Sequence, residues 1–167
     1  MTDRRLLLNI VLKKFGGLNI GQFPDRLILQ KRIYLLQLFG LDLGYRYNWY
    51  AHGPYCPRLA EEAFKLAENL DDFNRQSSYY KLSPKAMKQL NKYIGFENQL
   101  GNQDKDRLLE LAASIHFIKH FGYLSNGVSK DNISKVLHKR GKFFEESQIN
   151  RIWNLLDSVN LIKRKEC

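Results

Sequence analysis

The pentapeptide Gly53-Pro54-Tyr55-Cys56-Pro57 separates two stretches of incompatible periodicity and limits what either can become. Upstream, Tyr45, Tyr47, Trp49 and Ala51 alternate with Arg46, Asn48 and Tyr50, the period of two expected of a half-buried strand rich in aromatic residues. Downstream, Leu59, Ala63, Leu66, Ala67 and Leu70 recur at helical spacing as far as Asp71-Asp72. Gly53 tolerates backbone conformations that other residues avoid and Pro54 fixes its own φ, so the pair is expected to turn the chain sharply out of the strand. Pro57 suits the first position of a helix, where its missing N–H has no partner to lose, and this makes Cys56 the N-cap. A thiol accepts more weakly than a hydroxyl, so Cys56→Ser is expected to stabilise the helix by about 0.5 to 1 kcal/mol.

The remaining pattern is mostly helical. Thr2 or Asp3 can cap a first helix carrying Leu7, Leu8, Val11, Leu12 and Phe15 and stopped by Gly16-Gly17. After Pro24-Asp25, the residues Ile28, Leu29, Ile33, Leu35, Leu36 and Phe39 form a broad apolar surface, the mark of a central, mostly buried helix. Ser77 to Ser83 alternates and reads as a second short strand, after which Ser83 caps a helix with Pro84 at its first position. The string SSYYKLSPKAMKQL is similar to the last wing strand of many winged-helix proteins and the helix that follows it. Gly95 to Asp106 is rich in amides and poor in apolar residues, as a linker would be. Beyond it, three apolar stripes at helical spacing begin at Leu108, Ile133 and Ile149. The expected fold is α+β and predominantly α-helical. Residues 1–95 form winged-helix-like helices with a small two- to three-stranded antiparallel sheet. Residues 96–106 are the linker, and 107–167 form a helical region packed on the first as one domain.

Composition excludes several classes. A chain of 167 residues, 44% hydrophobic and 13% aromatic, buries a core without staples and is not disordered. The two cysteines, Cys56 and Cys167, are far apart and lack CxxC spacing, so neither a disulfide framework nor a zinc ribbon is expected. Leu6 to Leu12 is interrupted by Asn9 and followed by lysines, unlike a signal peptide, and no run approaches the roughly 20 apolar residues that span a bilayer. A cytoplasmic setting with free thiols and no membrane partner is therefore expected. The net charge of +10 makes anionic partners plausible, with Lys130, Lys135, Lys139, Arg140 and Lys142 the densest basic stretch and Lys163-Arg164-Lys165 a second.

Catalytic chemistry is thin. His116 and His120 have the i, i+4 spacing of two metal ligands, but Phe117 stands where HExxH has Glu and no third ligand is evident, so an amphipathic helix is the better reading. Cys56 and His52 lie too close across a Gly-Pro turn to align as nucleophile and base, and no orienting group follows them. Phosphate-cradling glycine loops and nucleophile elbows are missing from the sequence. A non-enzyme is expected, with no catalytic residues, no metal and no cofactor.

Two strings in order, Leu29-Gln30-Lys31-Arg32-Ile33-Tyr34-Leu35-Leu36-Gln37 and Tyr50-x-x-Gly53-Pro54-Tyr55-Cys56-Pro57-x-Leu59, resemble the YwgA-like proteins and the broader Panacea, or SocA-like antitoxin, domain. The family pattern is close to LQKLIYLLQ followed by YGPYSxxL, and Cys56 departs from it where Ser is usual. The resemblance implies a mostly helical fold with a few strands and, for Panacea domains, an antitoxin or adaptor that binds a partner protein. Tyr50, His52, Tyr55 and Arg58 cluster around the turn and are of types that dominate protein interfaces, although aromatic residues at a strand-helix junction also fill cores. Gln30, Lys31 and Gln37 are expected on the polar, solvated side of the second helix, available to a partner. The leading expectation is a module that sequesters a toxin or effector. The alternative is a winged-helix nucleic-acid-binding regulator using the basic stretch.

Overall fold

The structure, a computed structural model, describes residues 3–121 and 127–163. Eight α-helices and one antiparallel hairpin are present among them: α1 (Arg4–Leu12), α2 (Phe23–Leu38), β1 (Asn48–Tyr50), β2 (Gly53–Tyr55), α3 (Pro57–Glu68), α4 (Leu70–Ser77), α5 (Pro84–Asn98), α6 (Lys105–His120), α7 (Ile133–Lys139) and α8 (Glu146–Ser158). The fold is α+β and mostly helical, with one small two-stranded sheet.

Helices α2 and α6 form the centre. Residues 108–116 of α6 are buried without interruption, and α2 buries Leu29 to Tyr34 apart from Arg32. A helix buried nearly all round needs neighbours on every side. For α6 these are α2, β2 and α8, while α1 packs on α3 and α4. Asp3 caps α1, accepting from the Arg5 N–H at 2.8 Å. Helix α6 thus packs against α2 and β2 of the first half of the chain.

The alternation over 45–50 holds: Tyr45 is buried, Tyr47 and Trp49 half-buried, and Arg46, Asn48 and Tyr50 exposed. Only its last three residues form a ladder, with Asn48 opposite Tyr55 and Tyr50 opposite Gly53. The reversal is therefore made by Ala51-His52, and Gly53-Pro54 belong to the returning strand instead of turning the chain out of it. Glycine is required at 53 for two reasons. Its φ is +84°, and a Cβ there would lie 2.5 Å from Ser114 Oγ.

The second expected strand is not formed. Residues up to Ser77 continue as α4, and 80–82 are irregular before Ser83 caps α5, accepting from the Ala86 N–H at 3.1 Å. The polar edge of α4 is held by α1: Asn9 donates to Asn74 Oδ1 at 3.0 Å and Lys13 Nζ to Ser77 Oγ at 2.5 Å. Helix α4 is separate from α3, broken at Asn69, so Leu70 and Asp71-Asp72 open a helix where the sequence suggested an end. The expected linker is shorter as well. Helix α5 runs to Asn98, Phe96 and Leu100 are buried, and the true connection carries positive φ at Gly101 and Asp104.

Candidate functional site

The polar residues of α2 point inward. Gln30 is 2% exposed and Lys31 0%, so neither is on a solvated face as the amphipathic pattern suggested. A three-residue hairpin leaves backbone groups that need partners once buried, and α2 supplies them. Gln30 donates to the Cys56 carbonyl at 3.0 Å and accepts the Cys56 N–H at 2.9 Å. Lys31 Nζ donates to the Pro54 carbonyl. One turn and a half further on, Gln37 accepts from the N–H groups of Leu43 and Tyr45 and donates to the Tyr45 carbonyl. Three side chains of one helix thus hold both ends of the 43–56 segment.

A buried ion pair completes the support. Glu110 on α6 accepts from Lys142 Nζ at 2.6 Å, and Lys142 also donates to the Ala51 carbonyl at 2.5 Å. The exposed ring of His52 lies 3.9 Å from the second Glu110 oxygen. Burial lowers the pKa of Lys31 to about 8, opposed by the Glu110 charge and helped by Lys142. Ser114, one turn along from Glu110, is buried with its Oγ unpartnered among the described residues.

This frame presents aromatic surface. An apolar cleft of about 170 Å³ between α2 and α3 is walled by Phe23, Leu27, Tyr55 and Phe64. A more polar cleft of about 380 Å³ lies across Phe23 and Leu27, bounded by His52, Glu110, Lys142 and Phe143. The two share Phe23 and Leu27 as a common wall, and together they make up a divided trough beside the hairpin. Phe23, Phe64 and Phe143 are each at least half exposed. The Tyr50 ring packs edge-on to Tyr55 at 5.2 Å, and His52 to Phe23 at 5.2 Å. Of the residues expected at an interface, Tyr50, His52 and Tyr55 are therefore brought together. Arg58 is exposed but lines neither cleft, and its guanidinium pairs with Glu62 at 3.0 Å.

The basic stretch does not form one face. Lys142 is 5% exposed and turned into the core, and the Arg140 guanidinium lies 5.0 Å from the Trp49 ring. Lys130 donates to Asn154 Oδ1 at 2.7 Å, while Lys135 and Lys139 are exposed. Of the second basic run, Lys163 is exposed, and Arg164 and Lys165 lie outside the described residues, as does Cys167. The two histidines of α6 serve packing: the Tyr34 hydroxyl and His116 Nδ1 are hydrogen-bonded at 2.7 Å, and His120 Nε2 meets the Leu161 carbonyl at 2.6 Å. Burial drives the His116 pKa down to about 3, with His120 adding to the effect.

Glu110, Phe23, Phe64 and Phe143 escaped the sequence reading. Glu110 had a signal, a lone carboxylate inside the apolar run Leu108-Leu109-Glu110-Leu111-Ala112-Ala113, which demands a buried cation. The three phenylalanines had none, because an exposed aromatic residue is indistinguishable in sequence from a core one. No protein-family model, no curated protein and no solved structure matches this chain.

Proposed function

We propose that this chain is a non-enzymatic protein-binding module, antitoxin-like or an adaptor, which holds a partner protein on the hairpin trough. The observation that carries the reading is the pair of adjacent clefts that meet at Phe23, one lined by Phe64 and Tyr55 and the other by His52 and Phe143, over a frame of buried, hydrogen-bonded side chains. Exposed aromatic clusters of this kind mark interaction surfaces, and a hairpin pinned from beneath loses little entropy on binding. The resemblance of the Leu29–Gln37 and Tyr50–Leu59 strings to Panacea domains points the same way. The division of the basic stretch between core and surface weighs against the nucleic-acid alternative.

The test is affinity purification with the wild-type chain and with Phe64→Ser and Phe143→Ser, each sample split into nuclease-treated and untreated halves and washed at low and high salt. A protein retained through nuclease and salt by the wild type and lost from both variants supports the module. Recovery of nucleic acid alone, stripped by salt, replaces it with the regulator reading.

A further inference from the structure

A second trough lies away from the hairpin and shares no lining residue with it. It runs between α1 and the segment leading into α5, is floored by Leu41 and Leu43, and is walled by Leu7 and Ile10 on one side and Leu82 and Ala86 on the other. Its volume is about 470 Å³. Leu7 and Ile10 are one turn apart and half-buried, packed against the core on one side and open to the trough on the other.

The charge around this apolar floor is of one sign. Arg4 and Lys81 line it, no carboxylate does, and neither cation makes an ion pair among the described residues. Asp42, whose carboxylate feels the Arg4 charge, is hydrogen-bonded to Arg46 at 3.1 Å. Arg4 is held in place: its guanidinium lies 5.4 Å from the Tyr45 ring, and a Cβ on Gly44, whose φ is +82°, would come within 3.2 Å of its Nη2. Its Nη1 is buried with no acceptor among the described residues. The guanidinium as a whole lines the trough without an ion pair among the described residues, and such a group gains from a carboxylate by a charge-assisted bond. The N-terminus of α5, opening at Ser83, adds positive partial charge at the same rim.

We infer that this trough docks an acidic amphipathic helix of a partner protein, apolar side chains entering between α1 and Leu82 and flanking carboxylates meeting Arg4 and Lys81. A helix fills an apolar groove of this kind through anchors at i, i+3, i+4 and i+7. Together with the hairpin trough it makes the chain two-faced, able to hold two partners at once.

The probe is a synthetic 16-residue peptide with Leu at i, i+3, i+4 and i+7 and Glu at the flanking positions, titrated into the ¹⁵N-labelled full chain, with a control peptide carrying Lys in place of Glu. Amide shifts confined to Leu7, Ile10, Leu43, Leu82 and their neighbours, with the Lys peptide binding at least about tenfold more weakly, are expected. Lys81→Glu, an exposed change that leaves the core untouched, should weaken the Glu peptide about fivefold, and Arg4→Gln should do likewise. Phe64→Ser should leave this binding unchanged, so its outcome is separate from that of the hairpin. Equal binding of both peptides, shifts on the hairpin face, no binding at all, or concentration-dependent shifts of the trough amides without peptide each overturn the inference, the last by showing that a second copy of the chain takes the site.

Discussion

Lys142 and Glu110, thirty-two residues apart, meet at 2.6 Å in the core, and the same ammonium holds the Ala51 carbonyl at the hairpin turn. The loop before α8 and the middle of α6 are thereby joined to the most exposed part of the candidate interface. The pair is a joint, and its removal acts on the hairpin as well as on stability.

Lys142→Met leaves Glu110 buried without its cation, a change that destabilises by about 3 to 5 kcal/mol. Glu110→Leu with Lys142→Met removes both charges and should cost much less than the sum of the single changes. Urea denaturation of the four members of the cycle measures this, and strict additivity would deny the coupling.

Gly53→Ala meets both a positive φ and the Ser114 hydroxyl, and should destabilise by about 2 to 3 kcal/mol. Adding Ser114→Ala relieves the contact but not the backbone strain, so about 1 kcal/mol of the loss should persist. Ser114→Ala alone should be close to neutral, since its Oγ has no partner to lose. Thermal melts of the three variants separate the two causes.

Lys31 titrates in the folded chain at about 8, below its ordinary value of 10.5, because burial disfavours the ammonium. Between these values the unfolded chain holds the extra proton, so stability rises with pH from about 8 upward, by as much as about 3 kcal/mol from this group alone. Tyr34, Tyr47 and Tyr93, whose hydroxyl pKa values burial raises, act in the opposite sense once free tyrosine ionises near 10. The window to examine is therefore pH 8 to about 9.5. Lys31→Met should abolish the rise there, and an unchanged slope would place the titration elsewhere.

His116 shows the acid counterpart. Its folded pKa of about 3 lies below the ordinary 6.5, so the unfolded chain takes up a proton that the folded chain refuses. Stability should fall as pH drops below 6.5, by up to about 1.4 kcal/mol per unit. Glu97, held below the usual carboxylate range by Arg32 and Tyr93 despite its burial, adds its own loss only nearer its ordinary value of 4.5. His116→Gln should flatten the slope between pH 6.5 and 5. Denaturant melts at half-unit steps would show whether it does.

Cys56 stands at the N-cap of α3 as its place before Pro57 suggested, with its sulfur accepting from the Leu59 N–H at 3.4 Å. Cys56→Ser should add about 0.5 to 1 kcal/mol, and Cys56→Ala should remove a similar amount. Equal melting of Ser and Ala variants would mean that the cap contributes nothing.

Local rules made much of this chain legible. The helical stripes at Leu59, Leu108 and Ile149, the Ser83-Pro84 start of α5 and the Asp3 cap of α1 follow from side-chain periodicity and from the chemistry of free N–H groups. These are properties of a dozen residues at a time, and the sequence carries them whole. Alternation at 45–50 also held, but alternation at 77–83 did not, because a strand requires a partner: Gly53–Tyr55 pairs with 48–50, and among the described residues nothing pairs with 77–83.

What the tertiary structure alone decided is the fate of the polar residues on the central helices. Gln30 and Lys31 are polar side chains that periodicity assigns to solvent, yet they are buried because the hairpin lays its carbonyls over them, and the cation that Glu110 needs, Lys142, arrives from far along the chain. The two clefts that meet at Phe23, one lined by Tyr55 and the other by Phe143, are decided in the same way, since each exists only where distant segments meet. Periodicity reports one element's preference for water over oil. Which polar groups find a buried partner depends on the positions of every element at once, and that information resides in the packing.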